Sequence, residues 1–508
     1  MNKKTKLFSL LAALMMLLSL LPAALAEGAP VDISEEAHIV GYVPGDPSRE
    51  NDVMMEALNA KLKEEFNATI EFKFFNWGEF FDKYPLLFAS GEVFDFAYIA
   101  SWNDYHSFAA KGAYMDITDL VKDYAPDVYR IADPAVWNAT SYRGKVYGIP
   151  HDGLSLSTAN GFAYRADLGG LEEGQKLETL DDLEAYMKAV KEEDPAIATA
   201  NRDAVNNNLI LRYAQFQKTG WDFDWYGIVY QREDPEAKLL LKYETEEYKE
   251  LIERMVTWKD MGFWDTSVMT GQDFVNEVDQ HPFGQGLSAF FGTGSGDFNS
   301  CMNFVEDYDK DWKIGYFYTK SPSGHINKND VLNDGVSIAA TCTQPERTLQ
   351  VINALLTRAD YQWLLAYGVE GKHYVVGEDG FPKLPEGISP DNAPINFGMH
   401  PFSWFFYDRE NTMPQRAEDR PVDIINKEMD ALSNAPTLYG FYFDTADLQT
   451  EMAALNDIWV EYEIPLSWGF INESVEADLA NLVAKQKAAG IDKVIEEAQR
   501  QIDLFLGK

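Results

Sequence analysis

The stretch that decides the fold is FDFAYIASWNDYHSFAAKGAYMDITD, residues 94–119. Its apolar run at 96–100 has the length and composition of a buried strand. After one serine the run continues into Trp102, Asn103 and Asp104, with no glycine or proline in between. An indole, an amide and a carboxylate therefore follow the predicted strand directly.

The segments before this stretch predict a β-α-β-α-β unit. AHIVGYV (37–43) and TIEFKFF (69–75) have the pattern of strands, and NDVMMEALNAKLKEEF (51–66) and EFFDKYPLLFASG (79–91) have that of helices. The strand at 96–100 closes the series. Such an alternation predicts parallel strands joined by right-handed crossovers, with helices on the faces of the sheet.

Aromatic and polar groups follow two of these strands. Trp77 comes after the second strand, and Trp102, Asn103 and Asp104 come after the third. The carboxyl ends of parallel strands meet at one edge of the sheet, where open α/β sheets bind ligands. An indole can cover the C–H face of a pyranose ring, while amides and carboxylates hydrogen-bond its hydroxyls. We predict a carbohydrate site here; the alternative is that each tryptophan only caps the core.

The amino terminus predicts export. Three lysines precede an apolar run at 7–21, and a small-residue box at 24–26 follows, which together are typical of a secretory signal peptide over residues 1–26. Glu27 stands where a lipoprotein would have its acylated cysteine, so we expect an exported protein without a lipid anchor. No later stretch is long and uncharged enough to cross a bilayer.

The formal net charge of −39 argues against binding to nucleic acid or to an anionic membrane. Cys301 and Cys342 are the two cysteines of the chain. They could pair in an exported protein, but a chain of this size can build its core without a disulfide. Pairing therefore stays open.

The order of elements begins again in the second part of the chain. TLDDLEAYMKAVKEED (179–194) predicts a helix, with Thr179 and Asp182 spaced as a capping box and Pro195 just past the end. A second series of strands and helices after the first predicts a protein with two lobes.

In the order of its motifs, the chain resembles the extracellular solute-binding proteins of ABC importers, family 1, which include the maltose-binding proteins. The resemblance rests on LFASGEVFDFAYIASWNDYHSFAAKGAYMDITDLV (87–121), WNATSYRGKVYGIPHDG (137–153) and TLDDLEAYMKAV (179–190). YGVEGKHYVV (367–376) and GFYFDTADLQTEMAAL (440–455) are similar to the LipO-like oligosaccharide-binding branch. Many members of that branch are lipoproteins, whereas this leader lacks the cysteine.

The resemblance implies an α/β, two-lobed, periplasmic-binding-protein-like fold of type II, in which each lobe is a mainly parallel sheet flanked by helices and hinge crossover strands join the lobes. It implies a first lobe of residues 37–150 and 286–330, a second lobe of 151–285 and 331–400, and a carboxy-terminal extension, 401–508, packing on the lobes. It also implies a carbohydrate held between the lobes and delivered to the membrane subunits of an ABC permease. We expect a monomer that needs no cofactor.

The same resemblance and the local sequence suggest further ligand-binding candidates. They lie on the first crossover, in the aromatic loop GWDFDWYG (220–227), in the glycine-rich loop after 290, and in MHPFSWFFYD (399–408). The candidates are His151, Asp152, Trp221, Trp225, Tyr226, Gly294 and Trp404. A structural role in the hinge or core is the alternative for each of them.

Motifs for other chemistry are weak. The loop FFGTGSGDF (290–298) lacks the spacing of a phosphate loop, and DYDKDW (307–312) lacks the glycine and glutamate that a calcium loop needs. The sequence has no H-E-x-x-H and no G-x-S-x-G. A glycosidase needs only two suitably spaced carboxylates, so a secreted carbohydrate-active enzyme remains the alternative to a binding protein.

Overall fold

A computed structural model describes the chain from residue 29 to its end, with gaps. The described residues are 29–132, 134–150, 161–197, 209–264, 266–270, 278, 281–292, 295–328, 332, 334–378, 380–388, 393–395 and 421–508. The predicted signal peptide and the candidates His151, Asp152, Gly294 and Trp404 lie outside these residues.

The strands are short apart from the first two. In chain order they are β1 Ala37–Pro44, β2 Ala68–Phe75, β3 Phe96–Ile99, β4 Ser141–Tyr142, β5 Lys145–Val146, β6 Ile149–Pro150, β7 Gly161–Arg165, β8 Trp221–Trp225, β9 Ile228–Gln231, β10 Leu240–Leu241, β11 Phe290–Phe291, β12 Ile314–Tyr318, β13 Ile326–Asn327, β14 Gly335–Ile338, β15 Val375–Val376, β16 Pro382–Lys383 and β17 Ser433–Asn434.

The helices cover the faces of the sheets and form most of the carboxy-terminal part. In chain order they are α1 Asn51–Phe66, α2 Trp77–Ala89, α3 Tyr105–Ala110, α4 Leu120–Tyr124, α5 Pro126–Ile131, α6 Pro134–Ala139, α7 Leu180–Glu193, α8 Leu209–Thr219, α9 Glu246–Asp260, α10 Ser267–Thr270, α11 Ser295–Asp307, α12 Pro345–Thr357, α13 Ala359–Tyr367, α14 Pro421–Leu432, α15 Gln449–Ile458, α16 Ile464–Ser467, α17 Val475–Ala488 and α18 Ile491–Phe505. Among the described residues, no helix is long and apolar enough to cross a bilayer.

The first lobe confirms the β-α-β-α-β prediction. Strands β2, β1 and β3 lie side by side and are parallel, with α1 and α2 as the crossovers. The side chains of β3 are all buried, as expected for a parallel strand that is covered on both faces. Helix α1 contributes Met54, Leu58 and Leu62, spaced four residues apart, so that one helical stripe packs on the sheet.

Strand β14 then joins this sheet from a distant part of the chain. It pairs antiparallel with β3 on one side and with β6 on the other. Gly335 allows this close approach, since a Cβ atom at that position would lie 2.6 Å from the carbonyl oxygen of Ile149. Helices α12 and α13 follow β14 into the same hydrophobic core, through residues such as Ile352 and Leu365.

These pairings correct the predicted domain boundaries. The segment 331–400 was assigned to the second lobe, but β14, α12 and α13 belong to the first. The segment 286–330 was assigned to the first lobe, but β11 and β12 pair with β7 in the second. Both segments contribute short apolar strands, and hydrophobicity alone does not specify which of two sheets such a strand joins.

The second lobe is built from antiparallel pairs. Strand β7 lies between β11 and β12, and β9 lies between β8 and β10. The prediction of a mainly parallel sheet therefore holds for β2, β1 and β3, whereas the two three-stranded sheets of the second lobe are antiparallel throughout. The two-residue loop between β8 and β9 requires an antiparallel arrangement, because parallel strands need a much longer crossover.

Within the predicted carboxy-terminal extension, the helices α17 and α18 pack in the core of the second lobe. Leu482 of α17 and Val494 of α18 are fully buried in the same core as Met255 and Trp258 of α9. The predicted helix at 179–194 is confirmed as α7, with the expected capping box between Thr179 and Asp182. It packs in this core as well.

Two short strands that pack with the second lobe are tied together by one buried arginine. Strands β13 and β17 pair in parallel. The guanidinium of Arg232 donates to the Oδ1 atom of Asn327 at 2.9 Å and to the carbonyl oxygen of Asn434 at 2.7 Å. Arg232 is almost completely buried, so these contacts replace water as its hydrogen-bonding partners.

The two cysteines are free and buried in different cores. Cys301 packs with second-lobe residues and Cys342 with first-lobe residues. We predict that a thiol-specific colorimetric reagent leaves both thiols unmodified in the native protein, since burial raises the pKa of Cys342 to about 12 and shields both sulfur atoms. Unfolding in guanidinium without reductant should release two reactive thiols. Failure to recover both after unfolding would indicate a disulfide and contradict this arrangement.

Candidate functional site

The aromatic cluster at the end of β3 is formed by Phe80, Phe81, Tyr98 and Trp102. The chain leaves β3 through a 3-10 turn at Ser101–Asn103, which brings Trp102 over the start of α2. The ring of Trp102 lies 5.8 Å from that of Tyr98, 6.3 Å from Phe80 and 6.1 Å from Phe81. Trp102 stays 43% exposed. Its ring is therefore packed against the other three rings and is still partly exposed to solvent.

The two polar residues that follow Trp102 have an unusual environment or backbone conformation. Asn103 is only 8% exposed, and its side-chain amide nitrogen has no hydrogen-bond partner among the described residues. Asp104 is exposed and has left-handed backbone geometry, with φ of 50°. An unpaired buried donor is costly, and strained backbone is common at functional sites. The pair thus offers a free donor and an accessible carboxylate beside an aromatic face.

Trp77, the fourth first-lobe candidate, is the first residue of α2. The side chain of Asn76 caps this helix by accepting a hydrogen bond from the backbone N–H of Glu79 at 3.1 Å. The helix start thus lies shortly before the two phenylalanines of the aromatic cluster. The first strand, β1, continues to Pro44, and its Tyr42 is buried against Phe75.

The second-lobe candidates separate into core and surface. Trp221 is 5% exposed and belongs to the hydrophobic core, so the prediction that it lines a ligand cleft is wrong. Successive side chains of a strand point to opposite faces, and that of Trp221 lies on the buried face of β8. Trp225 is 37% exposed, and its ring packs on Phe223 at 6.0 Å and on Phe443 at 5.5 Å.

Tyr226 and Gly227 form the turn of the hairpin between β8 and β9. Both have positive φ, 47° and 85°, as a two-residue type I′ turn requires. Only glycine fits the second position, because a Cβ atom there would lie 2.2 Å from the ring of Tyr243. Gln486 of α17 donates to the carbonyl oxygen of Tyr226 at 2.8 Å and so fixes the turn to the carboxy-terminal helices.

The two lobes approach each other at Asp104. Burial raises the pKa of Tyr226, and the negative charge of Asp104 adds to that rise. The same carboxylate, after burial and Asp444, also raises the pKa of Tyr442. Asp104 comes from the first lobe, whereas Tyr226 and Tyr442 come from the second-lobe hairpin and the carboxy-terminal segment. The structure therefore places Asp104 within electrostatic range of Tyr226 and Tyr442, and Trp102 and Trp225 are exposed indoles of the first and second lobe.

A buried ion cluster of Asp224, Lys242 and Glu463 supports the hairpin. The Nζ atom of Lys242 lies 2.7 Å from Asp224 and 3.1 Å from Glu463. Burial opposes the charge of Lys242, but the two carboxylates more than offset it, so the pKa of Lys242 is raised. Burial raises the pKa of Glu463, and Lys242 only partly offsets that rise. Asp224 directly precedes Trp225 and Tyr226, so this cluster holds their loop in place.

Sequence reasoning missed Tyr442, Phe443 and the ion cluster. The first two lie in GFYFD, residues 440–444, where aromatic residues follow one another without the period of a helix. That pattern could have indicated an extended segment with two buried faces. The ion cluster joins residues far apart in sequence and leaves no local signal. Among the described residues, no group of three or more His, Cys, Asp or Glu side chains is placed to hold a metal ion.

We predict that Lys242→Met destabilises the protein by ~3–5 kcal/mol, because it leaves the buried carboxylate of Glu463 without its cation. The loss of stability should be measured from denaturant unfolding. Lys249→Met is the matched control: Lys249 pairs at 3.4 Å with an exposed Glu246 of the same helix, α9, and its loss should leave the unfolding midpoint unchanged. Equal shifts in the two variants would show that the buried cluster does not support the lobe.

Two family models match the chain. One, described as bacterial extracellular solute-binding protein, matches residues 48–362. The other, described as a domain of unknown function, matches residues 437–507. The first match covers more than half of the chain and spans both lobes.

A curated relative and two solved structures are similar over nearly the full length. The relative, a carbohydrate ABC transporter substrate-binding protein from Streptococcus pneumoniae serotype 4, is 24% identical over 94% of this chain and 92% of its own. The N-glycan transport solute-binding protein of Streptococcus pneumoniae superimposes with a TM-score of 0.72 at 21% identity. Its complex with Man1GlcNAc gives 0.70 at 20% identity. Both structures cover 93% of this chain and 100% of theirs, and they show the same two-lobed fold.

Proposed function

The chain belongs to the family of bacterial extracellular solute-binding proteins, and we propose that its solute is a carbohydrate, of oligosaccharide size, bound in the cleft between the lobes. The observation that carries the proposal is the group at the end of β3. There an exposed indole, a buried amide donor without a partner and an exposed carboxylate are consecutive in the chain.

The chemistry of this group fits a sugar. The outer face of Trp102 can cover the C–H face of a pyranose, and the amide nitrogen of Asn103 can donate to a hydroxyl or ring oxygen. Asp104 can accept from two hydroxyls. Trp225 and Tyr226 can close over the opposite side of the ring, because the charge of Asp104 already acts on Tyr226 from the first lobe. Trp77 is proposed to extend the first-lobe side at the start of α2.

The remaining ligand-binding candidates are proposed as parts of the same cleft. His151 and Asp152 follow β6, the last first-lobe strand before the chain enters β7. Gly294 follows β11 in the second lobe, and Trp404 precedes α14. Binding at such a cleft is expected to draw the lobes together by a hinge motion of the crossover strands.

We further propose that the protein is exported through its leader, acts as a monomer and delivers its sugar to the membrane subunits of an ABC importer. The pneumococcal relative, which is named as the substrate-binding protein of a carbohydrate ABC transporter, supports this role. The similar solved structure, which holds Man1GlcNAc, supports an oligosaccharide ligand. With Glu27 in place of a lipobox cysteine, attachment to the membrane by acylation is not expected.

We predict saturable binding without turnover. Titration calorimetry should be run with Man1GlcNAc and with a panel of mono- to pentasaccharides, and each ligand that binds should then be incubated with the protein for days. A binding protein leaves the number of reducing ends unchanged, whereas a glycosidase that uses a carboxylate pair increases it. New reducing ends would favour the enzyme alternative. A panel without any binder would contradict the carbohydrate proposal.

We predict that Trp102→Ala and Asp104→Ala each weaken binding of the best panel ligand by roughly ten- to a hundred-fold. A carboxylate that accepts hydrogen bonds from sugar hydroxyls contributes ~1.5–3 kcal/mol of binding free energy. A stacked aromatic ring contributes through the apolar area that it buries and through the stacking interaction itself. Calorimetry measures the affinities, and circular dichroism verifies that both variants are folded. Trp363→Ala is the matched control, since Trp363 packs on Tyr367 and Tyr374, outside the aromatic cluster.

Asn103→Leu tests the same site through a different contrast. If Asn103 had a purely structural role, its substitution would destabilise the protein. Its amide nitrogen is instead a buried donor without a partner. Leucine should therefore keep or raise the unfolding midpoint while it weakens sugar binding. Unchanged affinity in folded variants at all three positions would place the site elsewhere.

A further inference from the structure

One extended segment of the carboxy-terminal part contacts both sides of the cleft. We call residues 439–444, YGFYFD, the strap. It lies between β17 and the first 3-10 turn before α15 and has no regular structure of its own. It contacts both lobes: Tyr439 packs against the first-lobe cluster around Tyr105 and Leu332, whereas Phe441 packs against the second-lobe core.

Tyr442 of the strap reaches the first lobe. Its ring stacks on the imidazole of His106, with 3.3 Å between the ring centroids and 12° between the planes. His106 is buried in α3 and bonds the carbonyl oxygen of Ala139 through Nε2 at 2.9 Å. Burial lowers the pKa of His106 to about 3, so the imidazole is neutral and the stack does not vary with pH near neutrality. Next to it, Asp444 lies 3.5 Å from Arg143 of the first lobe.

Phe443, the next residue, faces the second lobe. It is buried in the core of that lobe, and its ring lies 5.5 Å from Trp225 and 6.4 Å from Phe223. Phe441 contacts Phe223 in the same way, at 5.9 Å. The backbone of Asp444 exchanges two hydrogen bonds with the side chain of Gln501 in α18, each 2.9 Å long.

Adjacent residues of the strap therefore touch the two candidate walls of the cleft. Tyr442 packs on His106, two residues after Asp104, and Phe443 packs under Trp225. Since neighbouring Cα atoms of a chain are ~3.8 Å apart, this connection leaves little freedom in the distance between the walls. The rings of Tyr442 and Phe443 contact opposite lobes, which suits a spacer between two surfaces.

We propose that Tyr442 and Phe443 are positioning residues that set the separation of the two lobes at the cleft, with the carboxy-terminal segment acting as an interlobe spacer. This deepens the proposed function, since it names what fixes the width of the sugar site, and it assigns a role to the region matched by the domain of unknown function. The His106–Tyr442 stack is the contact on the first-lobe side and the Phe443–Trp225 pair is the contact on the other.

The test measures the lobe separation without any ligand. Spin labels are attached to cysteines introduced at Glu56 in α1 and Glu253 in α9, both exposed, and the distance distribution is recorded by double electron–electron resonance. Labelling leaves the native cysteines alone, because both are buried. Tyr442→Ala should broaden the distribution and shift its mean. Tyr442→Phe retains the stacked ring and should restore the wild-type distribution.

Phe505→Ala is the matched control. Phe505 is an aromatic residue of the same carboxy-terminal module and packs on Phe441 at 5.4 Å, but no ring contact links it to His106 or Trp225 among the described residues. The Phe505→Ala substitution should leave the distance distribution unchanged. If Tyr442→Ala does not fold, Tyr442→Leu keeps apolar bulk and still removes the stack, and the same shift is expected.

Two results would overturn the proposal: a wild-type distance distribution in a folded Tyr442→Ala or Tyr442→Leu variant, or an equal shift in Phe505→Ala, which would indicate general loosening of the module. Neither result depends on sugar binding. Failure of every oligosaccharide to bind would overturn the proposed function while leaving the strap intact, so the two proposals can be judged separately.

Discussion

The antiparallel pairing of β14 with β3 is the constraint on which the arrangement of the two lobes depends. Once the parallel unit of β2, β1 and β3 has formed, β3 still has an open edge, and unpaired backbone groups there would be costly. The edge is filled by a strand that enters the sequence more than two hundred residues later, after the chain has built much of the second lobe. That closure forces the chain to cross between lobes and commits α12 and α13 to the first lobe.

The candidate site is formed by residues of the two lobes that this crossing connects. β3 ends at the open side of the first lobe, and its 3-10 turn exposes Trp102 and leaves Asn103 with an unpaired donor. Opposite it, the hairpin of β8 and β9 carries Trp225 and Tyr226 on a turn with positive φ at both central residues. Left-handed geometry at Asp104, Phe223 and Tyr226 costs of order 1–3 kcal/mol for each residue, and such strain persists only where the surroundings determine it. Here the surroundings are the aromatic cluster on one side and the buried ion cluster on the other.

The carboxy-terminal part has two physical roles in this arrangement. Its helices α17 and α18 complete the core of the second lobe, and its extended strap passes between that core and the first lobe. A solute-binding protein must hold its lobes close enough to make a site and still let them move. A spacer made of ring contacts suits that requirement, because aromatic pairs contribute ~0.5–1.5 kcal/mol each and can be broken singly. The hydrogen bonds of Arg232, by contrast, join segments that pack with the second lobe and do not have to change when the lobes move.

Local sequence determined the elements of this protein but not their partners. Period and capping residues predicted the first β-α-β-α-β unit, α7 and the aromatic and polar groups after β3, since these depend on side chains within a few positions of one another. The tertiary structure alone decided which lobe received β11, β12 and β14, that Trp221 is a core residue, and that Lys242 neutralises Asp224 and Glu463. Most of these outcomes depend on contacts between residues more than a hundred positions apart. The local sequence of a short apolar strand or of a single charged side chain does not specify which distant surface it will contact.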